Sequence, residues 1–261
     1  MTPFGGSISY AAGRARRHNR GVRYQFVDCR WELGNPGRGR ELYLAGHIPG
    51  ASFLDVEEDL SSRPDERGRH PLPEPDAFAE AASRAGIGEN VLVVAYGNMG
   101  GAERLWWLLR HFGHEHVGVL AGGIQSWRGR LSEGEEEIER GDFATRPRTD
   151  DTISANELAA RLDDPDLIVV DARTPERFRG EPNPIDNVPG RVPGALNVPY
   201  VSDEPLPEEI LAAKEIAVYC GSGVTACVTL HELAEAGRAD AKLYPGSWSE
   251  WEGLGLPVQS G

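Results

Sequence analysis

Apolar residues along this chain gather in short continuous runs, YQFV (24–27), VLVVA (91–95), LIVV (167–170) and IAVY (216–219). Each run is followed by polar or glycine-rich residues, and the runs at 91–95 and 216–219 lead into stretches with helical spacing of apolar positions, such as LWWLLRHF (105–112). Unbroken apolar runs read as strands covered on both faces, and their alternation with amphipathic helices predicts parallel pairing. The expected fold class is therefore α/β, with mainly parallel sheets flanked by helices.

The pattern also occurs twice. YQFVDCRWELGNPG followed by AGHIPGASFLDV is matched by LIVVDARTPERFRG followed by GRVPGALNVPY. Further on, NVLVVAYGNMGGAERLWWLLRHFGHEHVGVLAGGIQSW is matched by EIAVYCGSGVTACVTLHELAEAGRADAKLYPGSWSEW. Several matched blocks in one order imply a duplicated domain. Residues 132–150, SEGEEEIERGDFATRPRTD, are charged and poor in aliphatics, which suggests a solvated connector. A helix is expected to restart at Ser154, with Glu157 at capping-box spacing. The domains expected are 1–135, a linker at 136–151, and 152–261.

The two copies differ at one telling place. Aligning Tyr96 with Tyr219 sets Gly97 opposite Cys220, so one strand-to-helix turn offers a thiol and the other offers none. Open α/β sheets place ligands at such strand ends. The loop Gly221-Ser222-Gly223-Val224-Thr225 is permissive enough to curl its N–H groups inward at a helix start. Such a nest favours thiolate over thiol, and Cys220 is therefore expected to act as a nucleophile. Cys29 stands where the second copy has Ala172 and is expected to pack; Cys227, on the following helix, is likewise expected to be inert.

Composition narrows the classes further. The chain has 261 residues, 39% of them hydrophobic, ample for two domains. No run approaches the ~18 apolar residues of a membrane span. The N-terminal MTPFGGSISYAAGRARRHNRG lacks the apolar core of a secretory signal, and three cysteines without paired spacing suit a reducing cytoplasm. A formal net charge of −14 argues against nucleic acid or an anionic membrane as partner. An acidic protein acting on an anion must focus positive potential locally, which draws attention to single arginines.

The motifs AGHIPGA (45–51), LWWLLR (105–110), DARTPERFRG (171–180), RVPGALN (191–197) and CGSGVTA (220–226) resemble those of the tandem-domain rhodanese family of sulfurtransferases, over nearly all of the chain beyond about residue 24. The resemblance implies an inactive first domain and a second domain whose Cys220 takes a sulfane sulfur as a persulfide. That sulfur would pass to cyanide, a thiol or thioredoxin, with no metal or organic cofactor. CGSGVTA is similar to the mercaptopyruvate branch, and the loop carries no cation; thiosulfate and 3-mercaptopyruvate both stay open as donor. Arg177 matches the family's substrate-binding arginine, and Gly221, Ser222, Gly223, Val224 and Thr225 form the expected anion cradle. A second arginine, expected shortly after, is missing: the segment reads EPNPIDN, with Ile185 nearest its place. His47 matches a family histidine expected to work with Ser222, the alternative being that it only braces its own loop. The resemblance brings the PGSWSEW loop, with Trp248 and Trp251, near the site, although packing is the simpler role for both rings.

Among the remaining groups, Asp28 and Asp171 are expected to brace loops, with Arg30 and Arg173 paired to them. Thr225 is expected to cap the following helix. Two rival functions fit less well. A cysteine phosphatase or arsenate reductase needs an arginine six residues after the cysteine, where this chain has Ala226. A persulfide carrier that docks on a protein partner would load sulfur once and stall.

Overall fold

The computed structural model describes residues 8–9 and 23–260. The N-terminal stretch in which no secretory signal was read thus lies almost wholly outside the described residues. The chain forms two compact units: the sequence up to Ser62 joined by Pro73–Arg148, and Arg63–Leu72 joined by Thr149–Gly261.

In the first unit the order is β1 (Ile8–Ser9), β2 (Arg23–Cys29), α1 (Arg38–Ala45), β3 (Ser52–Phe53), α2 (Pro75–Arg84), β4 (Val91–Gly97), α3 (Gly101–His111) and β5 (Val117–Leu120). The sheet runs β1-β5-β4-β2-β3, parallel except for the antiparallel β1 at its edge. In the second unit come α4 (Ala155–Ala160), β6 (Leu167–Asp171), α5 (Pro175–Phe178), β7 (Leu196–Asn197), α6 (Glu208–Ala212), β8 (Glu215–Tyr219), α7 (Ala226–Glu235), β9 (Lys242–Leu243) and α8 (Ser247–Gly253). Its four strands are parallel in the order β7-β6-β8-β9. The predicted runs are the central strands: Val93, Val94, Ala95, Ala217 and Val218 are fully buried, as strands covered on both faces require.

The duplication extends to hydrogen bonds. Asp28 pairs with Tyr96 across β2 and β4, as Asp171 pairs with Tyr219 across β6 and β8. The amide of Ile48 donates to the Tyr96 hydroxyl at 3.2 Å, and that of Val192 to the Tyr219 hydroxyl at 3.1 Å. Arg30 grips Asp28 and Arg173 grips Asp171, the loop-bracing role expected of both pairs. Each P-G-A loop is also bridged by a returning tail, His47 to Ser132 in one unit and Arg191 to Gln259 in the other.

Two features depart from the expected layout. Residues 136–148 do not run free through solvent: they pack on the first unit. The Gly141 amide donates to Ser83 O at 2.8 Å, Arg146 to Phe112 O at 2.9 Å, and Phe143 is buried edge-on to Phe78. Backbone pairing needs no apolar side chains, so a segment poor in aliphatics can still lie along a surface. The second departure is the arm Arg63–Leu72, which lies in the first half of the sequence but belongs to the second unit. Ser154 caps α4 as expected, accepting from the Glu157 amide at 3.2 Å.

Candidate active site

β8 ends at Tyr219 and hands Cys220 to the loop before α7. The Gly223 amide donates to Cys220 Sγ at 3.1 Å, a contact that suits an anionic sulfur. Gly223 holds φ +80° with no room for a side chain, since a Cβ there would stand 2.3 Å from Pro245 O. A second loop locks the turn from behind. Buried Ser247, at φ +53°, accepts from the Cys220 amide at 3.1 Å and donates to Tyr244 O at 2.9 Å. The amides of Trp248 and Ser249 donate to the carbonyls of Cys220 and Gly221, each at 3.0 Å. The cysteine backbone is thus fixed on both sides, and Cys220 itself is buried.

The histidine that meets Ser222 is His70, from the arm, and not His47. Its Nδ1 lies 2.7 Å from Ser222 Oγ, and both residues are buried. The expected His47 is instead built into the first unit. Its ring stacks on Tyr43 at 4.1 Å, its Nδ1 lies 2.8 Å from Tyr43 O, and its Nε2 lies 3.2 Å from Glu136. That is the loop-bracing alternative, and it ties the tail at 132–136 to the AGHIPGA loop.

Two guanidinium groups converge on Gly221. A Cβ added there would stand 2.7 Å from Arg177 Nη2 and 2.9 Å from Arg69 Nη2. Arg177 is the arginine singled out from the sequence. The second cation comes from the arm and not from the position of Ile185, whose side chain carries no charge. Arg69 donates to Ile185 O and to Gly221 O, each at 3.2 Å, and its Nε is buried without a hydrogen-bond partner. Burial, and then the neighbouring Arg177 cation, press the Arg69 guanidinium below its usual pKa; Asp186 and the Cys220 sulfur oppose that shift. Such a pair is poised to receive an anion, which would relieve the repulsion between the two cations.

The other expected positions are placed as follows. Val224 is buried at the loop's inner face, and Thr225 stands at the N-cap of α7 without making a side-chain cap bond. Cys227 lies on α7 with its Sγ 3.4 Å from Gly223 O, and Cys29 is buried in the first unit. Trp248 and Trp251 are fully buried; the Trp248 ring lies under the Arg173 guanidinium at 4.5 Å and its Nε1 donates to Val188 O. In the first unit the equivalent turn is closed. Asn98 clasps the Trp31 backbone through both its side-chain atoms, at 2.9 and 3.0 Å. No group of three or more metal-ligating side chains occurs among the described residues, and no helix among them is long and apolar enough to cross a membrane.

His70 and Arg69 were legible only as an oddity. The first copy carries an extra polar stretch between its P-G-A loop and its next helix, SSRPDERGRHPLP, that the second copy lacks. An insertion of that kind in one copy of a repeat is a signal of added function, but its destination is not written in it.

The Rhodanese-like domain profile matches residues 11–130 and 154–254. The chain is 40% identical over 249 residues to a probable 3-mercaptopyruvate sulfurtransferase of Pseudomonas aeruginosa, covering 86% of this chain and 88% of that one. It is 39% identical to a putative thiosulfate sulfurtransferase, SseB, of Mycobacterium tuberculosis, covering 86% of each. It is 35% identical to the human 3-mercaptopyruvate sulfurtransferase, covering 94% and 90%. The crystal structure of SseA from Escherichia coli, described as a 3-mercaptopyruvate sulfotransferase of rhodanese fold, superposes with a TM-score of 0.75 at 33% identity, covering 87% of this chain and 93% of that one. Two matched domains and relatives of this closeness place the chain in the rhodanese family, as a tandem-domain sulfurtransferase.

Proposed function

We propose that the chain moves a sulfane sulfur from 3-mercaptopyruvate, through a persulfide on Cys220, to a thiophilic acceptor such as cyanide or a thiol. The observation that carries this choice of donor is the contact between His70 and Ser222, one residue removed from Gly221 in the cysteine loop. When the Cys220 thiolate attacks the sulfur of mercaptopyruvate, the new S–S bond forms as the C–S bond breaks. The carbon fragment leaves as the enolate of pyruvate and must take up a proton at carbon. The S–H proton of the donor is released as the persulfide ionises, so a Ser222–His70 pair that relays one proton closes the balance. Thiosulfate would leave as sulfite and needs no such relay.

Each other group has a part in this reading. Arg177 and Arg69 take the donor's carboxylate, Arg177 through a fork that matches two oxygens. The Gly223 amide steadies negative charge on sulfur. In the second half-reaction, cyanide attacks the outer sulfur, the S–S bond breaks, thiocyanate leaves and the Cys220 thiolate returns. Thiosulfate is the second reading, favoured by one observation: two cations beside Gly221 also suit a dianion.

Intact-protein mass spectrometry after brief exposure to each donor, followed by steady-state turnover with cyanide, tests the proposal. One added sulfur is expected, absent in Cys220→Ser. His70→Gln should lose about 100-fold or more in kcat/KM with mercaptopyruvate and far less with thiosulfate. Equal losses with both donors would return the choice to thiosulfate. A single loading without turnover would point to a carrier.

A further inference from the structure

Arg177 is held along one edge. Its Nε donates to Asp186 Oδ2 at 2.8 Å and its Nη2 to Asp186 Oδ1, the side-on bidentate pairing of a guanidinium with a carboxylate. A guanidinium is a rigid plane with five N–H donors. With two spent on Asp186, three are left, two on Nη1 and one on Nη2. The end edge, with one N–H from each Nη, is the one turned toward Gly221, where a Cβ would meet Nη2 at 2.7 Å and Nη1 at 3.2 Å. The direction of the fork is therefore set by the carboxylate behind it.

Asp186 is fixed in turn. Its side chain is almost fully buried and also receives Asn183 Nδ2 at 3.2 Å and Arg173 Nη1 at 3.4 Å. Asn183 Oδ1 accepts the amides of Ile185 and Asp186, each at 3.0 Å, closing a tight turn. Burial alone would raise the Asp186 carboxyl, but the hydrogen bonds and charge of Arg177 and the charge of Arg173 outweigh it and hold it below the usual carboxylate range. The same turn sets the other cation, since Ile185 gives its carbonyl to Arg69 Nη1.

We propose that Asp186 is a positioning residue for the sulfur donor: it never touches the donor, but it aims the end edge of Arg177 at the place beside Gly221 where the donor's anionic group binds. The turn Asn183–Asp186 is thereby the common rest of both arginines. The inference rests on the sulfur-transfer reading above and deepens it.

Turnover of 3-mercaptopyruvate and of thiosulfate, each with cyanide as acceptor, tests the proposal in Asp186→Asn and Asp186→Glu. In Asp186→Asn the side-on pairing is halved and uncharged. KM for the donor should rise about tenfold or more, with a much smaller change in kcat. The effect must pass through Arg177. In an Arg177→Ala background, adding Asp186→Asn should therefore change KM by less than about twofold. Asp186→Glu keeps the charge beside Arg173 but displaces the fork by one methylene, and it too should raise KM; it serves where the Asn variant unfolds. An unchanged donor KM in either folded variant overturns the proposal, as does a full additive effect of Asp186→Asn without Arg177. Failure of the wild-type chain to load sulfur on Cys220 would instead refute the sulfur-transfer reading itself.

Discussion

At the scale of single residues, histidine shows how little a side chain's chemistry says about its employment. His47 sits in a motif and spends both ring nitrogens on bracing its own unit. His70 sits in an unpatterned stretch and meets Ser222 in the cysteine loop. The motif histidine was readable because repeats and motifs are local in sequence; the partner of Ser222 was not, because a pairing across 152 positions is a tertiary fact. A third histidine yields a stability prediction. His114 is buried against Phe143, with Nε2 3.2 Å from His116 O. Burial presses its pKa below the ordinary value of about 6.5. Its folded pKa lies below the unfolded one, so protonation favours the unfolded chain. Above about pH 6.5 it costs nothing; stability is lost as pH falls from there toward the depressed folded value. Thermal midpoints measured from pH 7.5 to 5.5 should drop less steeply in His114→Phe than in wild type, and parallel slopes would refute this.

Elements were the most legible level. β2, β4, β6 and β8 were readable as apolar runs, because a strand covered on both faces has no polar face to break the pattern. The helices after the glycine turns followed from spacing, and the matched positions of Tyr96 and Tyr219 follow from the register of their strands. The connector's hold on the first unit is not legible, since composition reports what side chains prefer while backbone pairing to Ser83 and Phe112 holds the segment down. The two strand-to-helix turns also carry a prediction. The first is closed around Gly97: a Cβ there would lie 2.9 Å from Cys29 O and 3.0 Å from Ala102 N, with Asn98 clasping Trp31 alongside. Gly97→Cys, made in a Cys220→Ser background, should gain no sulfur from either donor and should lower stability by about 1–3 kcal/mol. Mass spectrometry and denaturant melts read both outcomes.

For the molecule as a whole, the question is how an acidic chain of net charge −14 gathers cations at one loop. The second unit does so with Arg177 of its own sequence and with Arg69 from the arm, which also carries His70. The arm docks by close approach. The Arg69 amide donates to Ser249 Oγ at 3.1 Å, and Gly68, at φ +112°, leaves a Cβ only 2.7 Å from Ser249 Oγ and 2.8 Å from Gly246 O. Gly68→Ala should therefore lift the arm and withdraw both groups at once. A fall of about 100-fold or more in kcat/KM with mercaptopyruvate is expected, while Cys220 remains alkylatable; unchanged turnover would mean that the arm is only a connection. The sequence by itself determined the duplicated α/β architecture, the family, and which strand-to-helix turn carries a cysteine at 220 and which a glycine at 97, because strands, turns and repeats are written in neighbouring residues. Only the tertiary structure decided which histidine serves Ser222, where the second arginine comes from and which carboxylate aims the first. The first two depend on the arm leaving the fold of its sequence neighbours for the second unit, and no local pattern encodes where a polar segment will find its partners.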